Sequence, residues 1–328
     1  MSQSRRTPDR PTHRPEAHHY LAGCSLSAIA GAALAVQSRI NGDFGRRAHD
    51  GVLVAVLSFG GSLVLCALFT ALLAVRRRAG SLVRAVRANR LPPWYYLGGI
   101  AGAYTIVSQA VAVGPLGVAV FTVAAVAGQS ASSLLVDRLG VGPAGHQPLT
   151  VFRLAAAGLA IVAVIVAVSG QFHSPRSIGL IVLPAITGIA TPWHQAFNGR
   201  VRVATGSTLT ATSINFLVGT VVLLPAFGID VALRGLPHGV PSPLWPAYLG
   251  GPLGVIFIGI TVTVVRYIGV LLLALSTIAG QLVMAIVLDV IAPEAGNHPG
   301  PNTFIGTALT FGAVAIAVVH HRRRNPSR

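Results

Sequence analysis

The sequence predicts an all-α integral membrane protein of ten transmembrane helices, arranged as two inverted five-helix repeats. Two observations support this prediction: the chain is too apolar for a water-soluble fold, and its second half repeats its first. Of 328 residues, 53% are hydrophobic and only 10% are charged, whereas soluble domains contain about 25% charged residues. A water-soluble fold of this size could not cover its surface with so little charge.

Uncharged runs long enough to cross a bilayer recur along the chain, since about 20 helical residues span the hydrocarbon core. The longest run, 91–136, is interrupted by GPLG at 114–117, so it is interpreted as two helices. Together the runs predict ten spans, centred near residues 31, 63, 104, 126, 160, 188, 218, 257, 278 and 312.

Polar segments flank the spans and set the domain limits. Residues 1–20 are Pro-rich and Arg-rich, which is typical of a disordered cytosolic tail rather than a cleavable signal peptide. Residues 21–170 then form the first repeat and 177–321 the second, within one transmembrane domain, and 322–328 form a basic cytosolic tail. The only cysteines, Cys24 and Cys66, fall inside predicted spans, so neither a disulfide framework nor a thiolate metal cluster is supported.

The 24 arginines, which stand without any lysine, indicate topology rather than nucleic-acid binding. Sixteen of them lie in the N-terminal tail, in 76–90, at Arg200 and Arg202 and in the C-terminal tail, whereas the opposite side keeps Arg46, Arg47, Arg176 and Arg234. Those segments share one side if ten crossings begin inside, so the positive-inside rule places both termini in the cytoplasm. No stacking aromatics accompany the basic loops, which argues against a nucleic-acid partner.

The second half of the chain repeats the first in a fixed register. YLGGIAG (96–102) and YLGGPLG (248–254) match at a spacing of 152 residues, which also pairs Gly128-Gln129 with Gly280-Gln281. Upstream, a spacing of 157 pairs GAALAVQSRING (31–42) with GIATPWHQAFNG (188–199), and Ser58-Phe59 with Asn215-Phe216. Five helices per half is an odd number, so the second half enters the membrane inverted. This arrangement is typical of secondary transporters that work by alternating access.

These motifs resemble the repeated signatures of a known family. LAVQSRINGDFG, VLSFGGSLVL, VAGQSASSLLVDRLGVGP, HQAFNGRV and INFLVGTVVLLP are similar to those of the YdcZ-type family in the drug/metabolite transporter (DMT) superfamily. The resemblance spans roughly residues 21–320 and implies a ten-helix exporter of the bacterial inner membrane, a monomer or a homodimer. The family pattern has Gln four residues before Asn in both halves. Gln37 and Asn41 keep it, but the second copy has His194 in that place.

Polar side chains inside the spans are the candidates for solute binding. His194 and Asn198 lie one helical turn apart and share a face, as Gln37 and Asn41 do in the first half. The two faces could converge on one solute, or form two rims of its path, because Gln37 is predicted nearer the outer side and His194 nearer the inner side. The remaining candidates are Trp193, Gln195, Gln109, Asn215 and the repeat-matched, mid-span pair Gln129 and Gln281.

Each of these candidates has a structural alternative. Gln and Asn in membrane helices also bond across helix contacts and hold a bundle together. The pairs Gly98-x-x-x-Gly102 and Gly250-x-x-x-Gly254 are typical packing faces. Pro184 and Pro192 are expected to kink the sixth helix and free backbone carbonyls beside the His194 cluster.

Charged residues narrow the mechanism. All eight carboxylates fall in tails, loops or span ends, so carboxylate-based proton coupling is not expected. His194 is the candidate proton site, although a neutral imidazole bonded to a neighbouring helix is the simpler interpretation. Arg39 is expected to reach the membrane interface, although it could attract an anionic solute. Asp137 and Asp289 are expected to cap the ends of their own helices or to join short turns. Arg266 is expected to lie in a tight link between the eighth and ninth helices.

The sequence therefore predicts a secondary transporter that exports a small metabolite or organic solute across the lipid bilayer, with no cofactor or metal. A membrane enzyme is disfavoured, because no buried acid pair, His-Glu-x-x-His site or activated nucleophile is found. The alternative is a partner-dependent subunit or scaffold without transport activity of its own, to which the Arg-rich segment 76–90 would contribute.

Overall fold

The computed structural model describes residues 17–76, 91–143, 145–146, 150–169, 175–236, 248–292 and 300–324. Within these ranges every regular element is helical. In chain order they are α1 (Ala17–Ala48), α2 (Gly51–Arg76), a 3-10 helix (Pro93–Leu97), α3 (Gly98–Leu116), α4 (Val118–Leu139), α5 (Val151–Ser169), α6 (Pro175–Thr205), α7 (Thr208–Arg234), α8 (Gly250–Ile291) and α9 (Pro301–Arg324).

The described helices have the apolar character that the composition predicts. Six segments are long and apolar enough to cross a membrane: Leu21–Ala48, Gly51–Leu72, Pro93–Leu116, Val118–Leu139, Thr208–Arg234 and Leu273–Ile291. Two shorter apolar segments, Leu154–Ala163 and Gly250–Val265, lie in α5 and α8. The all-α, membrane-protein class is therefore confirmed.

The ends of the helical domain differ from the predicted limits. Helix α1 begins at Ala17, inside the predicted 1–20 tail, and α9 continues to Arg324, inside the predicted 322–328 tail. No proline lies between Pro15 and the first apolar run. Helical hydrogen bonding is therefore not interrupted there, and α1 begins before the apolar residues. The remaining tail predictions, and the Arg-rich segment beyond Arg76, concern residues outside the described ranges.

A single residue separates α3 from α4. Gly117 has φ of 79°, in the left-handed region that favours glycine. Its amide donates to the Val113 carbonyl at 2.8 Å, and its own carbonyl accepts from the Phe121 amide at 3.2 Å. The predicted division of the long apolar run at GPLG is therefore present.

Helix α8 reverses direction along its length, although its helical assignment is continuous. Its first residue, Gly250, accepts a hydrogen bond from Gln37 Nε2 at 2.7 Å, and Asp289, near its other end, lies 4.0 Å from Arg39 Nη1. Both ends thus lie beside the same stretch of α1, whereas a straight helix of 42 residues would be about 63 Å long.

Arg266 lies inside α8 rather than in the separate link that was predicted. The counterpart of GPLG in the second repeat is RYIG at 266–269, which contains no proline to interrupt the helix. The two apolar segments of α8 lie on either side of this position. We refer to them below as the two arms of α8.

The two repeats exchange partners. Helices α3 and α4 pack along α6 of the second half, and both arms of α8 pack along α1 of the first half. A Cβ added at Gly188 would overlap the Ala125 carbonyl oxygen, and one at its repeat counterpart Gly31 would overlap that of Thr277. The helix backbones therefore touch directly, as small residues permit in membrane bundles. Around this centre, α2 packs against α7 and α5 against α9.

Asp289, on α8, contacts residues of both α4 and α1. Its carboxylate accepts the Val118 amide at 3.1 Å and the Ala119 amide at 2.7 Å, which caps the N-terminus of α4. This differs from the prediction that Asp289 caps the end of its own helix or joins a short turn, because the capped helix belongs to the other repeat. Arg39 differs from its prediction: its side chain is only 14% exposed, because it is drawn between Asp289 and Asp43 rather than to the interface.

Replacement of Gly188 by Ala tests the backbone contact between α6 and α4. We expect Gly188→Ala to lower stability by about 1 to 3 kcal/mol, because the added methyl would force the helices apart. The measurement is the melting temperature of the purified protein in detergent. Gly61→Ala is the control, since no atom lies within 4 Å of a Cβ there. Equal melting temperatures for the two variants would contradict the contact.

Replacement of Asp289 by Ala tests the cap. We expect Asp289→Ala to cost about 1 to 2 kcal/mol in stability, because two amides of α4 lose their acceptor. The control is Asp230→Ala, which breaks an ion pair with a largely exposed Arg234 and should cost well under about 1 kcal/mol. A thermal shift no larger for Asp289→Ala than for the control would rule out the capping role.

Candidate functional site

A cavity of about 50 Å³ lies between α1, α2, α3, α6, α7 and α8. It is lined by Leu34, Gln37, Phe59, Gly102, Thr105, Ile106, Thr191, His194, Asn215, Phe216, Gly254, Phe257 and Ile258. Both repeats contribute to the wall, because each repeat's first helix packs against the other's third span. The exchange of partners thus brings residues of both repeats to the cavity wall.

The lining follows the sequence repeat almost completely. A spacing of 157 relates Leu34 to Thr191, Gln37 to His194 and Phe59 to Phe216, and a spacing of 152 relates Gly102 to Gly254, Thr105 to Phe257 and Ile106 to Ile258. Asn215 alone lines the cavity without its counterpart, Ser58. The cavity therefore lies where the two halves meet as equivalents.

Two aromatic side chains meet beside the cavity. The rings of Phe59 and Phe216 lie edge to face, with centroids 5.1 Å apart and an interplanar angle of 73°. This geometry is favourable for aromatic pairs. Because each ring comes from a different repeat, the contact joins α2 to α7 at the wall of the cavity.

The second glycine of each Gly-x-x-x-Gly pair also lines the cavity. A Cβ at Gly102 would lie 3.0 Å from Phe59 Cζ and 3.4 Å from His194 Nε2, and one at Gly254 would lie 2.9 Å from Gln37 Nε2. These glycines do allow close packing, as predicted. They also leave room for the polar side chains at the cavity wall, which the sequence pattern alone did not indicate.

On the second-repeat side, three polar side chains form one buried cluster. His194 Nε2 lies 2.8 Å from Asn215 Oδ1, and Asn198 Nδ2 donates to the same oxygen at 3.0 Å. Because an amide oxygen can only accept, the His194 imidazole donates to Asn215 Oδ1 through Nε2. Helix α6 supplies His194 and Asn198 from one face, as their four-residue spacing predicts. The cluster joins α6 to α7.

On the first-repeat side, the bonds run to different partners. Gln37 Nε2 donates to the Gly250 carbonyl at 2.7 Å, and Asn41 Nδ2 donates to Gln109 Oε1 at 2.7 Å. These bonds join α1 to α8 and to α3. The helix-joining alternative thus describes Asn41 and Gln109, neither of which lines the cavity, whereas Gln37 does both.

The remaining sequence candidates lie away from the cavity. Trp193 Nε1 donates to Ser132 Oγ at 3.1 Å, on the side of α6 that faces α4. Gln195 is buried, and neither of its amide atoms has a partner among the described residues. Gln129 and Gln281 are buried as well but do not line this cavity. Of the ten candidates, Gln37, His194 and Asn215 line the cavity.

This placement bears on the two arrangements that the sequence allowed. Gln37 and His194 line the same cavity rather than two separate rims. The aromatic and threonine residues of the wall were not selected from the sequence, because a search for polar side chains does not find a phenylalanine. The repeat could have identified the two phenylalanines, since Phe59 and Phe216 are matched at the same spacing as Gln37 and His194.

Both halves of the chain match the model of one known protein family. A family model described as "Putative inner membrane exporter, YdcZ" matches residues 23–166 and 179–316, one match in each half of the chain. No curated protein shows significant similarity.

A solved structure titled "Crystal structure of protein" resembles the whole chain. It has a TM-score of 0.60 and 19% sequence identity, and the match covers 94% of this chain and 100% of that one. At this level of identity the similarity shows a shared fold.

Replacement of Asn215 tests the buried cluster. We expect Asn215→Leu to destabilise the protein by about 2 to 4 kcal/mol, because His194 and Asn198 both lose a buried acceptor. Thr212→Val is the control on the same helix: Thr212 is buried and its Oγ1 has no partner among the described residues, so loss of the hydroxyl should be neutral. If melting temperatures in detergent fall equally for both variants, the cluster does not stabilise the fold.

Proposed function

The chain belongs to the YdcZ-type family of inner-membrane exporters, and on that basis we propose that it is a DMT-superfamily secondary transporter that exports a small organic solute by alternating access. Family membership and the apolar helices make it a multi-pass membrane protein of a transporter family rather than an enzyme. The direction of transport and the exchange of states are the proposal.

The observation that carries the proposal is the repeat-matched cavity. A site bounded by equivalent residues of two repeats is open to neither side by preference, so an exchange of conformations between the repeats can expose it to each side in turn. Its volume of about 50 Å³ is far below the roughly 300 to 1,000 Å³ of drug-sized sites. We therefore propose that the cavity widens when the repeats exchange conformations.

The topology follows from the same pairing. If the two arms of α8 count as separate spans, the chain has five spans per repeat, in 21–170 and 177–321, and ten in total. Two repeats with an odd number of spans each are inverted with respect to each other. The packing agrees with this, because α3 and α4 pack along α6 while the two arms of α8 pack along α1. Both termini are then cytoplasmic, and one chain, as a monomer or within a homodimer, holds a whole site.

Solute binding is proposed for Gln37, His194 and Asn215, with the Phe59 and Phe216 rings as the apolar wall. Among the described lining residues, His194 is the only one with an ionisable side chain. It is therefore the proposed proton site, if transport is coupled to protons. A neutral His194 that only donates to Asn215 is the alternative, and a pH gradient separates the two.

Solute flux in proteoliposomes tests the proposal. The panel comprises amino acids, sugars, nucleosides and cationic dyes, each measured with and without a pH gradient. We expect saturable flux that falls at least about tenfold in Gln37→Ala, because a wall amide is removed. Gln129→Ala is the matched control: it removes an equally buried amide outside the cavity and should leave the flux within about twofold of wild type.

Three outcomes count against this account. Equal loss of flux in Gln37→Ala and Gln129→Ala would move the site away from the cavity. No flux of any compound, from protein with an unchanged melting temperature, would reject transport by this chain alone and favour a partner-dependent subunit. Gradient dependence that survives His194→Ala would remove the histidine as the proton site.

A further inference from the structure

We propose that the solute is electrically neutral and that it presents a hydrogen-bond acceptor to Nδ2 of Asn215. This inference rests on the proposed transport function and names the chemical class of its solute. It follows from two properties of the cavity wall: the absence of a fixed charge, and one buried amide donor that lacks a partner.

The described wall holds no permanently charged side chain. Among the described lining residues there is no Asp, Glu, Lys or Arg. Arg39, two residues along α1 from Gln37, turns instead toward Asp43 and Asp289. While His194 is neutral, an ionic solute would lose its hydration on entry and gain no opposite charge in return, which is strongly unfavourable in a buried site. A neutral solute avoids that penalty.

Asn215 provides the donor. Its Oδ1 already accepts from His194 Nε2 and Asn198 Nδ2, which fixes the orientation of the amide. The other end, Nδ2, is buried and has no hydrogen-bond partner among the described residues, in a side chain that is only 1% exposed. Buried donors are almost always paired in native proteins. A carbonyl or hydroxyl oxygen of the solute would complete this amide.

The rest of the wall sets the shape of the solute. Six of the described lining residues are aliphatic or aromatic: Leu34, Ile106, Phe257 and Ile258, with the Phe59 and Phe216 rings. A volume of about 50 Å³ accommodates only a few heavy atoms in this conformation. The class that fits is a short, branched or cyclic apolar group that ends in an uncharged amide, ketone or alcohol.

Three probes of one shape test the class. Isobutyramide, isobutyrate and isobutylammonium share a branched carbon chain and differ in charge. The readouts are the rise in melting temperature of the purified full chain and the inhibition of solute flux. We expect isobutyramide to act at concentrations roughly tenfold or more below those of the two ions, because only the ions are desolvated without a partner.

Asn215→Asp tests the assigned donor. The aspartate keeps an Oδ1 acceptor for His194 and Asn198, but it replaces the free N–H donor by a carboxylate oxygen; the melting temperature of the variant checks that it is folded. We expect isobutyramide to weaken by roughly tenfold and to lose its advantage over the two ions, because its oxygen then meets a carboxylate instead of a donor. Thr212→Val, one turn away on α7, is the control and should leave the wild-type order of the probes unchanged.

The results that overturn this inference are separate from those that overturn transport. A wild-type preference for either ion, or no response to any of the three probes, would reject the neutral class. An unchanged probe order in Asn215→Asp would reject Asn215 as the donor. Saturable flux of a charged compound in the larger panel would reject the neutral class while it upholds transport, whereas the absence of all flux would reject transport itself.

Discussion

The direct backbone contact between each repeat's first helix and the paired spans of the other repeat is the constraint on which the rest of the structure depends. Gly31 lies against the Thr277 carbonyl and Gly188 against that of Ala125, so no side chain separates the helices at either crossing. In a bilayer, where lipid is as apolar as the protein, such close approach is what favours association of helices. Gln37 and His194 each lie about one and a half turns beyond the glycine of their own helix. The contacts bring each side chain to face the third span of the other repeat.

The cavity is a consequence of this exchange of partners, and its asymmetry comes from few substitutions between the repeats. Most lining residues have an equivalent on the opposite wall, but His194 stands where the first repeat has Gln37, and Asn215 where it has Ser58. The second-repeat side therefore has a linked polar cluster, while the first-repeat side binds its amides to the backbone and to Gln109. The solute would enter a nearly symmetric cavity with one polar corner.

The sequence predicted the helical membrane class and the repeat register, because hydrophobic length and internal spacing are local properties. It also predicted that His194 and Asn198 share a face, since four residues make about one helical turn. It did not distinguish Gln37 from Gln129, because depth in a span does not tell which neighbour a face meets. That depends on which helix packs opposite, and here the neighbour comes from the other repeat.

Arg39 shows the same limit for charge. A lone arginine near a span end predicts contact with the interface, and only the reversal within α8 brings Asp289 close enough to hold it. The missed aromatic pair is different, since Phe59 and Phe216 were visible as a repeat but carry no polar atom. A search of repeat-matched positions, rather than of polar residues, would have found most of the wall.

Access to the cavity from each side of the membrane is the measurement that tests the account most directly. Thr105 lines the cavity, and a single cysteine there, with Cys24 and Cys66 replaced, can be labelled by an impermeant maleimide added to one side of sealed vesicles at a time. The account predicts labelling from both sides, and slower labelling when a transported solute is present. Labelling from one side only, at a rate no solute changes, would contradict a cavity that opens alternately to each side.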